Sequence, residues 1–253
     1  MSNKKEREKR REERLQEESK VSTGDRRTKM LQLGAGVAFL AIVAVVVLIV
    51  ANSGGDSGGD AENLQEVAAA ESVVNGIEQN GMVLGDPNAK VELIEYGDMQ
   101  CPVCKAYSEE VLPQVIENQV RTGKAKMVFH NFTIIGPQSK PAGAAVLAAG
   151  EQGRGWDYLE VFYRNQGAEN SEYADDEFLT AVAEAAGVKD IEQWDQDRKR
   201  LEKKVEQTTE QAQNFGFTGT PSFAIKGPGT NGIELLGNPS TPEEFESAIK
   251  AAS

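Results

Sequence analysis

The chain has 253 residues, 26% charged and 39% hydrophobic, a composition typical of a globular protein of one or two domains. Its two cysteines and single histidine exclude a disulfide-rich scaffold, a four-thiolate zinc site and a histidine-rich metal centre. The net charge of −13 argues against nucleic acid as a partner, because phosphate binding requires clustered positive charge.

The N-terminal part of the sequence indicates a membrane anchor. Residues 1–29 carry a net positive charge, whereas the rest of the chain is strongly acidic. The run Leu33 to Ala51 has 19 residues without one polar side chain. At about 1.5 Å per residue, a helix of this length crosses a hydrocarbon core of roughly 30 Å. Basic residues precede the run and none follows it before Lys90, so the positive-inside rule places the N-terminus in the cytoplasm.

We therefore predict a cytosolic charged tail at 1–29, a single transmembrane anchor at 30–51 and a flexible linker at 52–72. The linker begins with NSGGDSGGDA, whose composition is typical of a flexible spacer. A cleaved signal peptide is the alternative interpretation, but the charged segment and the apolar run are both longer than such a peptide requires. The predicted localisation is the cell membrane, single-pass, with an extracytoplasmic folded domain at 73–253.

The folded domain begins with a strand, a helix and a second strand. Apolar and β-branched residues dominate KVELIEYGD, which predicts a buried strand from Lys90. An amphipathic pattern then predicts a helix that starts at Pro102, is kinked at Pro113 and stops at Gly123. The sequence AKMVFHNFTI, residues 125–134, predicts the second strand.

The remainder predicts helices, a hairpin and a last helix. Residues 137–214 form a helical block in which Gly187 is expected to cap a helix. Strand patterns return at 222–226 and 232–237, and Thr241 is expected to cap the last helix. The order of these elements predicts an α/β fold with an inserted helical domain.

The sequence Cys101-Pro102-Val103-Cys104 is the strongest chemical signal in the chain. A cysteine at a helix N-terminus has a lowered thiol pKa, and a second cysteine three residues later can resolve a mixed disulfide. We therefore interpret Cys101 as the nucleophile and Cys104 as the resolving thiol. A structural disulfide, half of a zinc site with His130, and a pair of inert buried thiols are the alternatives.

The segment LGDPNAKVELIEYGDMQCPVC, residues 84–104, resembles the start of a DsbA-like thiol-disulfide oxidoreductase. The resemblance extends over about residues 76–250 and includes FGFTGTPSF at 215–223. It implies a thioredoxin-like fold with an inserted helical domain at about 137–214. It also implies that Pro221 is a cis proline beside the cysteines and that the backbone of Thr220 binds an extended substrate peptide.

The resemblance further implies that Glu95, on the strand before the site, is a buried acid that handles protons near the cysteines; a solvated Glu95 is the alternative. Pro102 and Val103 support the site, but they provide no histidine to donate to the Cys101 thiolate. His130 is interpreted as a packing or surface residue.

The predicted function is an extracytoplasmic oxidase that introduces disulfides into exported cysteine-containing proteins at Cys101 and Cys104. A membrane quinone-linked partner is expected to reoxidise it, and no cofactor or metal is expected. A disulfide isomerase or reductase of the same fold is the first alternative. A Cu(I)-binding chaperone that uses both thiolates and His130 is the second.

Overall fold

The computed structural model of the protein describes residues 63–253. The predicted cytosolic tail and transmembrane anchor, and the first part of the predicted linker, lie outside these residues. Within 63–253, the helices are too short or too polar to qualify as membrane spans.

A six-stranded mixed sheet forms the centre of the domain, in the order β1-β2-β4-β3-β5-β6. Its strands are β1 Gln79–Asn80, β2 Val83–Leu84, β3 Val91–Gly97, β4 Ala125–Asn131, β5 Ser222–Lys226 and β6 Glu234–Leu236. Strands β3 and β4 run parallel, and all other neighbours are antiparallel. Six of the seven residues of β3 are buried, as expected for a strand covered on both faces. The predicted strands after residues 90, 125, 222 and 232 are confirmed.

The first helix lies partly within the segment predicted to be a flexible linker. Helix α1, Val67–Val74, buries Ala70 and Val74 in the main hydrophobic core. Asn165 exchanges two hydrogen bonds with the backbone of Gln65, and Arg121 donates to two carbonyl groups at the end of α1. The prediction of a flexible linker up to residue 72 is therefore wrong at its C-terminal end, because this segment buries apolar surface.

The helical stretch after β3 presents the cysteine pair. It consists of α2 Pro102–Ala106, a π-helical turn Tyr107–Val111, α3 Leu112–Val115 and a second π-helical turn Ile116–Val120. The predicted start at Pro102 is confirmed, and Gly123 adopts a positive φ of 73° just after the end of the stretch. At Pro113, where a kink was predicted, the helix contains a π-helical turn that ends at Val111. In a regular α-helix, the proline ring would clash with the backbone carbonyl four residues earlier.

The predicted helical block is confirmed as an insertion between β4 and β5. It contains α4 Ser139–Glu151, α5 Gly155–Arg164, α6 Asp176–Ala185 and α7 Ile191–Asn214. Helix α4 is rich in alanine and glycine and packs closely against α7, where Trp194 donates to the Ala145 carbonyl at 3.0 Å. Gly143 allows α4 to pass close to the end of β4, since a Cβ there would lie 2.6 Å from Oδ1 of buried Asn131.

The chain ends with a hairpin and a helix that close the core around the site. Strands β5 and β6 pair antiparallel, and Thr241 caps the last helix, α8 Pro242–Ala252, by accepting from the Glu244 backbone. Phe223 of β5 contacts Phe245 of α8 edge-on and Tyr107, in the π-helical turn that follows α2. The sheet, the last helix and the cysteine-bearing helix therefore share one core.

Candidate active site

Cys101 is the N-cap residue of α2, where the helical stretch 102–120, called here the active-site helix, begins. Its backbone is extended, Pro102 follows at the first helical position, and its sulfur accepts from the backbone N–H of Cys104 at 3.4 Å. A side chain at this position faces the unpaired N–H groups and the positive end of the helix dipole. The geometry predicted for a nucleophilic thiol is therefore present.

The loop directly before β5, the neighbour of β3 in the sheet, completes the surroundings of Cys101. The thiol donates to the backbone carbonyl of Thr220 at 3.3 Å. The Thr220–Pro221 peptide bond is cis, as the family resemblance implied, and Pro221 is buried directly before β5. The two residues singled out at 220 and 221 thus lie beside the cysteine pair.

The two thiols, both free, have opposite electrostatic environments. Hydrogen bonding to Cys104 is the largest cause that lowers the pKa of Cys101, to about 7, and Thr220 and two backbone N–H groups act in the same direction against burial. Burial is the largest cause that raises the pKa of Cys104 well above its ordinary value, and Cys101 and Glu95 add to it. Near neutral pH, the thiolate therefore resides on Cys101.

Glu95 lies under the cysteine pair on β3, opposite Phe129 of β4 and Phe223 of β5. It is 1% exposed, and neither carboxyl oxygen has a hydrogen-bond partner. Burial, followed by the charges of Glu160 and Cys101, raises the pKa of Glu95 to about 8. The alternative of a solvated Glu95 is wrong, since the strand turns this side chain into the core.

The two residues between the cysteines have no reactive side-chain groups. Pro102 and Val103 are half-buried in the first turn of α2, and Val103 packs against the main core. The backbone N–H of Val103 is one of the groups that lower the pKa of Cys101. Their contribution is therefore to shape and aim the helix N-terminus.

Two buried polar residues that sequence reasoning missed hold the loop before Cys101. Asp98 accepts from the backbone of Gln100 and, through its second oxygen, from the backbones of Ile134 and Ile135 at 2.7 and 3.0 Å. Gln166, after α5, donates to the carbonyls of Met99 and Cys101. Asp98 could have been suspected from its place at the end of a strand, whereas Gln166 carries no sequence signal.

His130 lies on the other face of the sheet. Its ring stacks on Tyr96 at 5.2 Å, and Tyr96 belongs to a separate core cluster with Ile94 and Phe132. Burial lowers the pKa of His130, which favours the neutral ring. Among residues 63–253, no cluster of three or more His, Cys, Asp or Glu side chains could hold a metal ion. The structure thus does not bring His130 to the thiolates, as the copper alternative requires.

The fold and the site define a class of protein. A cysteine pair at a helix start, two thiols of unequal acidity, a buried acid beneath them and a cis-proline loop opposite them are the parts of a thiol-disulfide oxidoreductase.

Comparison with known proteins agrees. The family model described as Thioredoxin matches residues 78–251. The probable disulfide bond formation protein D of Bacillus cereus is 32% identical over 173 residues, covering 66% of this chain and 75% of that protein. Its namesake in Bacillus anthracis is 28% identical over 230 residues, 88% and 94% of the two chains. The chain belongs to the DsbA-like, thioredoxin-fold family of disulfide oxidoreductases.

Solved structures show the same fold. The crystal structure of oxidised BdbD from Bacillus subtilis superimposes with a TM-score of 0.60 at 20% identity, covering 69% of this chain and 96% of that one. The structure of alpha-DsbA1 from Wolbachia pipientis gives 0.57 at 23% identity, covering 70% and 91%. The thioredoxin-like fold with its helical insertion, predicted from the sequence, is confirmed.

Proposed function

We propose that this protein is an extracytoplasmic oxidase that introduces disulfides into exported proteins through Cys101 and Cys104. The unequal acidity of the two thiols carries the proposal. A thiol of low pKa is a good leaving group, so a mixed disulfide at Cys101 resolves readily toward the substrate disulfide. Stabilisation of the Cys101 thiolate also favours the reduced protein and makes its disulfide a stronger oxidant.

The reaction is a pair of exchanges that conserves disulfide bonds. A substrate thiolate attacks Cys101 of the Cys101–Cys104 disulfide, the bond between the protein sulfurs breaks, and Cys104 leaves and takes up a proton. A second substrate thiolate then attacks the substrate sulfur of the mixed disulfide, and Cys101 leaves as a thiolate. The substrate loses two electrons and gains a disulfide, and the protein dithiol holds the electrons.

Glu95 is proposed to carry the proton of the first exchange. Its pKa of about 8 keeps it protonated near neutral pH, and its charge is among the causes that raise the pKa of Cys104. A neutral carboxyl group in this position can give its proton to the departing Cys104 sulfur, and the carboxylate can take it back. Thr220 and Pro221 form the loop facing Cys101 and are proposed to hold the substrate peptide there.

The location and the partner are proposals that rest on the sequence. The apolar run Leu33 to Ala51 and the charge asymmetry around it favour a membrane anchor with an outward-facing domain. Outside the cytoplasm the surroundings are oxidising, so the Cys101–Cys104 disulfide would not be reduced before it meets a substrate. A membrane protein that passes the two electrons to quinone is the proposed reoxidant, and the anchor would keep the domain beside it.

Trapping of mixed disulfides tests the proposal. Cys104→Ser removes the resolving sulfur and keeps a hydroxyl beside Cys101, so covalent adducts of exported cysteine-containing proteins should accumulate in cells. The double variant Cys101→Ala/Cys104→Ser is the matched control and should trap nothing. Cytosolic partners would contradict the proposed topology, and an absence of adducts in Cys104→Ser cells would contradict the exchange reaction.

The reduction potential of the full-length chain decides the direction of exchange. A value well above about −270 mV, the thioredoxin value, supports an oxidase. A value near or below it would replace the oxidase with the reductase alternative.

A further inference from the structure

One side chain of the helical insertion donates to two carbonyl groups of the loop that ends in Cys101. The active-site loop, defined here as residues 98–101, joins β3 to the active-site helix. Gln166 lies just after the end of α5 and is 7% exposed. Its side-chain nitrogen donates to the Met99 carbonyl at 2.7 Å and to the Cys101 carbonyl at 3.2 Å. A glutamine amide has two N–H groups, so both donors are used inside the protein.

The backbone of Cys101 is hydrogen-bonded on both sides of its α-carbon. Its N–H donates to the Asp98 carbonyl at 3.0 Å. Its carbonyl accepts from the backbone N–H of Lys105 at 3.1 Å and from the side chain of Gln166. Of these three partners, only Gln166 comes from outside the active-site loop and the active-site helix. It is therefore the link between the insertion and the backbone of Cys101.

The backbone conformation of Cys101 decides where its sulfur lies. The φ and ψ angles of −78° and 117° are those of an extended N-cap residue. In this conformation the sulfur accepts from the Cys104 N–H at 3.4 Å and donates to the Thr220 carbonyl at 3.3 Å. A rotation of the backbone would lengthen the first contact and turn the sulfur away from the positive end of the helix dipole, which stabilises a thiolate. A residue that restrains this backbone therefore also acts on the thiolate.

Gln166 itself is held by the end of α5. Neighbouring Asn165 is 1% exposed and binds the backbone of Gln65 through two hydrogen bonds. Tyr163, in the last turn of α5, is fully buried and donates to the Asp98 carbonyl at 3.3 Å. The end of α5 thus contacts the active-site loop at three carbonyl groups. Gln166 therefore donates from a fixed position.

We propose that Gln166 is a positioning residue for thiol exchange: its two hydrogen bonds to the active-site loop hold Cys101 in the orientation that stabilises its thiolate. The inference rests on the proposed function, because it takes Cys101 as the sulfur that the substrate attacks. Without these donors, the carbonyls of Met99 and Cys101 turn toward other donors, since buried carbonyl groups are rarely left unpaired. The sulfur then loses contact with the helix N-terminus, and Cys101 becomes less acidic and a poorer leaving group.

The variant Gln166→Met tests the proposal, since methionine is similar in length but has no hydrogen-bond donor. The change adds and removes no charge, so the ionisable neighbours Cys104 and Glu95 keep their effects. Alkylation of the reduced full-length chain over a series of pH values gives the apparent pKa of Cys101. We expect this pKa to rise from about 7 by about one unit, the equivalent of roughly one hydrogen bond to the thiolate. The alkylation rate at pH 7 should then fall about fivefold.

Gln79 of β1 provides a matched control, because it makes two hydrogen bonds to the opposite end of α5. Its side-chain nitrogen donates to Asp157 at 2.7 Å, and its side-chain oxygen accepts from the backbone of Trp156 at 3.0 Å. Gln79→Met should lower the free energy of unfolding, as Gln166→Met does, but leave the apparent pKa of Cys101 unchanged. An equal rise in both variants would show that a general loosening of α5 moves Cys101, and it would overturn the inference.

Gln166→Asn provides a second route if Gln166→Met does not fold. Asparagine keeps the amide but is shorter by one methylene group, so it cannot span both carbonyls, and the apparent pKa of Cys101 should rise by a smaller amount. An unchanged pKa in whichever variant folds would overturn the inference.

The alkylation measurement requires no substrate and no reoxidising partner, so it separates the two proposals. A wild-type pKa of Cys101 at the free-thiol value of about 8.5 would contradict both the proposed function and the inference. A wild-type pKa near 7 that Gln166→Met does not move would refute only the role of Gln166.

Discussion

Helix α7 and the neighbourhood of Cys104 both contain ionisable groups, but those on α7 face solvent, whereas those near Cys104 are buried. On α7, Lys199 and Arg200 form exposed ion pairs with Asp195 and Asp197, three or four residues away. Their carboxyl groups have pKa values below the ordinary one, held there by hydrogen bonds from these cations. Solvent screens such pairs, so they contribute little to stability.

Beside Cys104, the carboxyl groups of Glu95 and Glu160 are buried, and burial raises the pKa of both into the neutral range. A carboxyl group is therefore ionised near neutral pH in the exposed region, whereas in the buried region it can hold its proton there. The difference comes from burial and not from the number of charges, and it implies that mutations in the two regions have different consequences.

The largest expected effect on the exchange rate lies in the buried region. Glu95→Gln keeps the volume and removes proton transfer, so thiol exchange should slow by on the order of 10²-fold near neutral pH. Stopped-flow measurement of exchange with a dithiol peptide checks this value. Equal rates for the variant and the wild type at every pH would show that Glu95 takes no part in proton transfer. The buried and exposed carboxyl groups would then not differ in function.

The largest expected effect on stability is its pH dependence. The pKa of Glu95 is about 8 in the folded chain against 4.5 ordinarily, so between these values the folded state binds more protons than the unfolded state. The free energy of unfolding should therefore fall as pH rises from 5 to 8, by up to about 1.4 kcal/mol per pH unit from this group.

Denaturant titrations of the reduced full-length chain measure this slope. Glu95→Gln should flatten it and should be more stable than the wild type at pH 8, while the exposed control Glu184→Gln should keep the wild-type slope. A steeper decline in Glu95→Gln would show that the sign of the burial effect has been misread.

The smallest effect belongs to the exposed region. Lys199 lies 2.6 Å from Asp195 in a pair that is 67% and 38% exposed. Lys199→Ala should cost no more than about 0.5 kcal/mol of unfolding free energy, and less at high salt, without changing the rate of exchange. A loss as large as that of a buried pair, about 3 kcal/mol, would place this helix surface in a structural network that its exposure does not suggest.

Sequence reasoning predicted the parts of the site that depend on local chemistry. Pro102 after Cys101 marks a helix start, and a cysteine at a helix start has one physical consequence, a lowered pKa. The burial of Glu95 came only from the family resemblance, because six of the seven residues of β3 are buried and the pattern alone leaves a solvated Glu95 open. The cis state of Pro221 came only from the family resemblance, because a Thr-Pro bond by itself favours trans.

What sequence reasoning missed depends on contacts between distant elements. Glu160 lies within LEVFYR, which has the pattern of an ordinary helix, and only the packing of α5 against the active-site helix buries it. Gln166 reaches the Cys101 carbonyl from 65 residues away in sequence. Helix α1 lies partly within the predicted linker, 52–72, because its short alanine-rich sequence does not reveal that Asn165 and Arg121 fasten it. None of these contacts has a local signature.

Selective alkylation of the reduced full-length chain tests the central claim most directly. At a series of pH values, the protein is treated briefly with a thiol reagent, and mass spectrometry assigns the modified cysteine. We predict modification of Cys101 with a midpoint near pH 7, while Cys104 stays unmodified over the same range. Reaction first at Cys104, or a midpoint for Cys101 at or above the free-thiol value of about 8.5, would contradict the account.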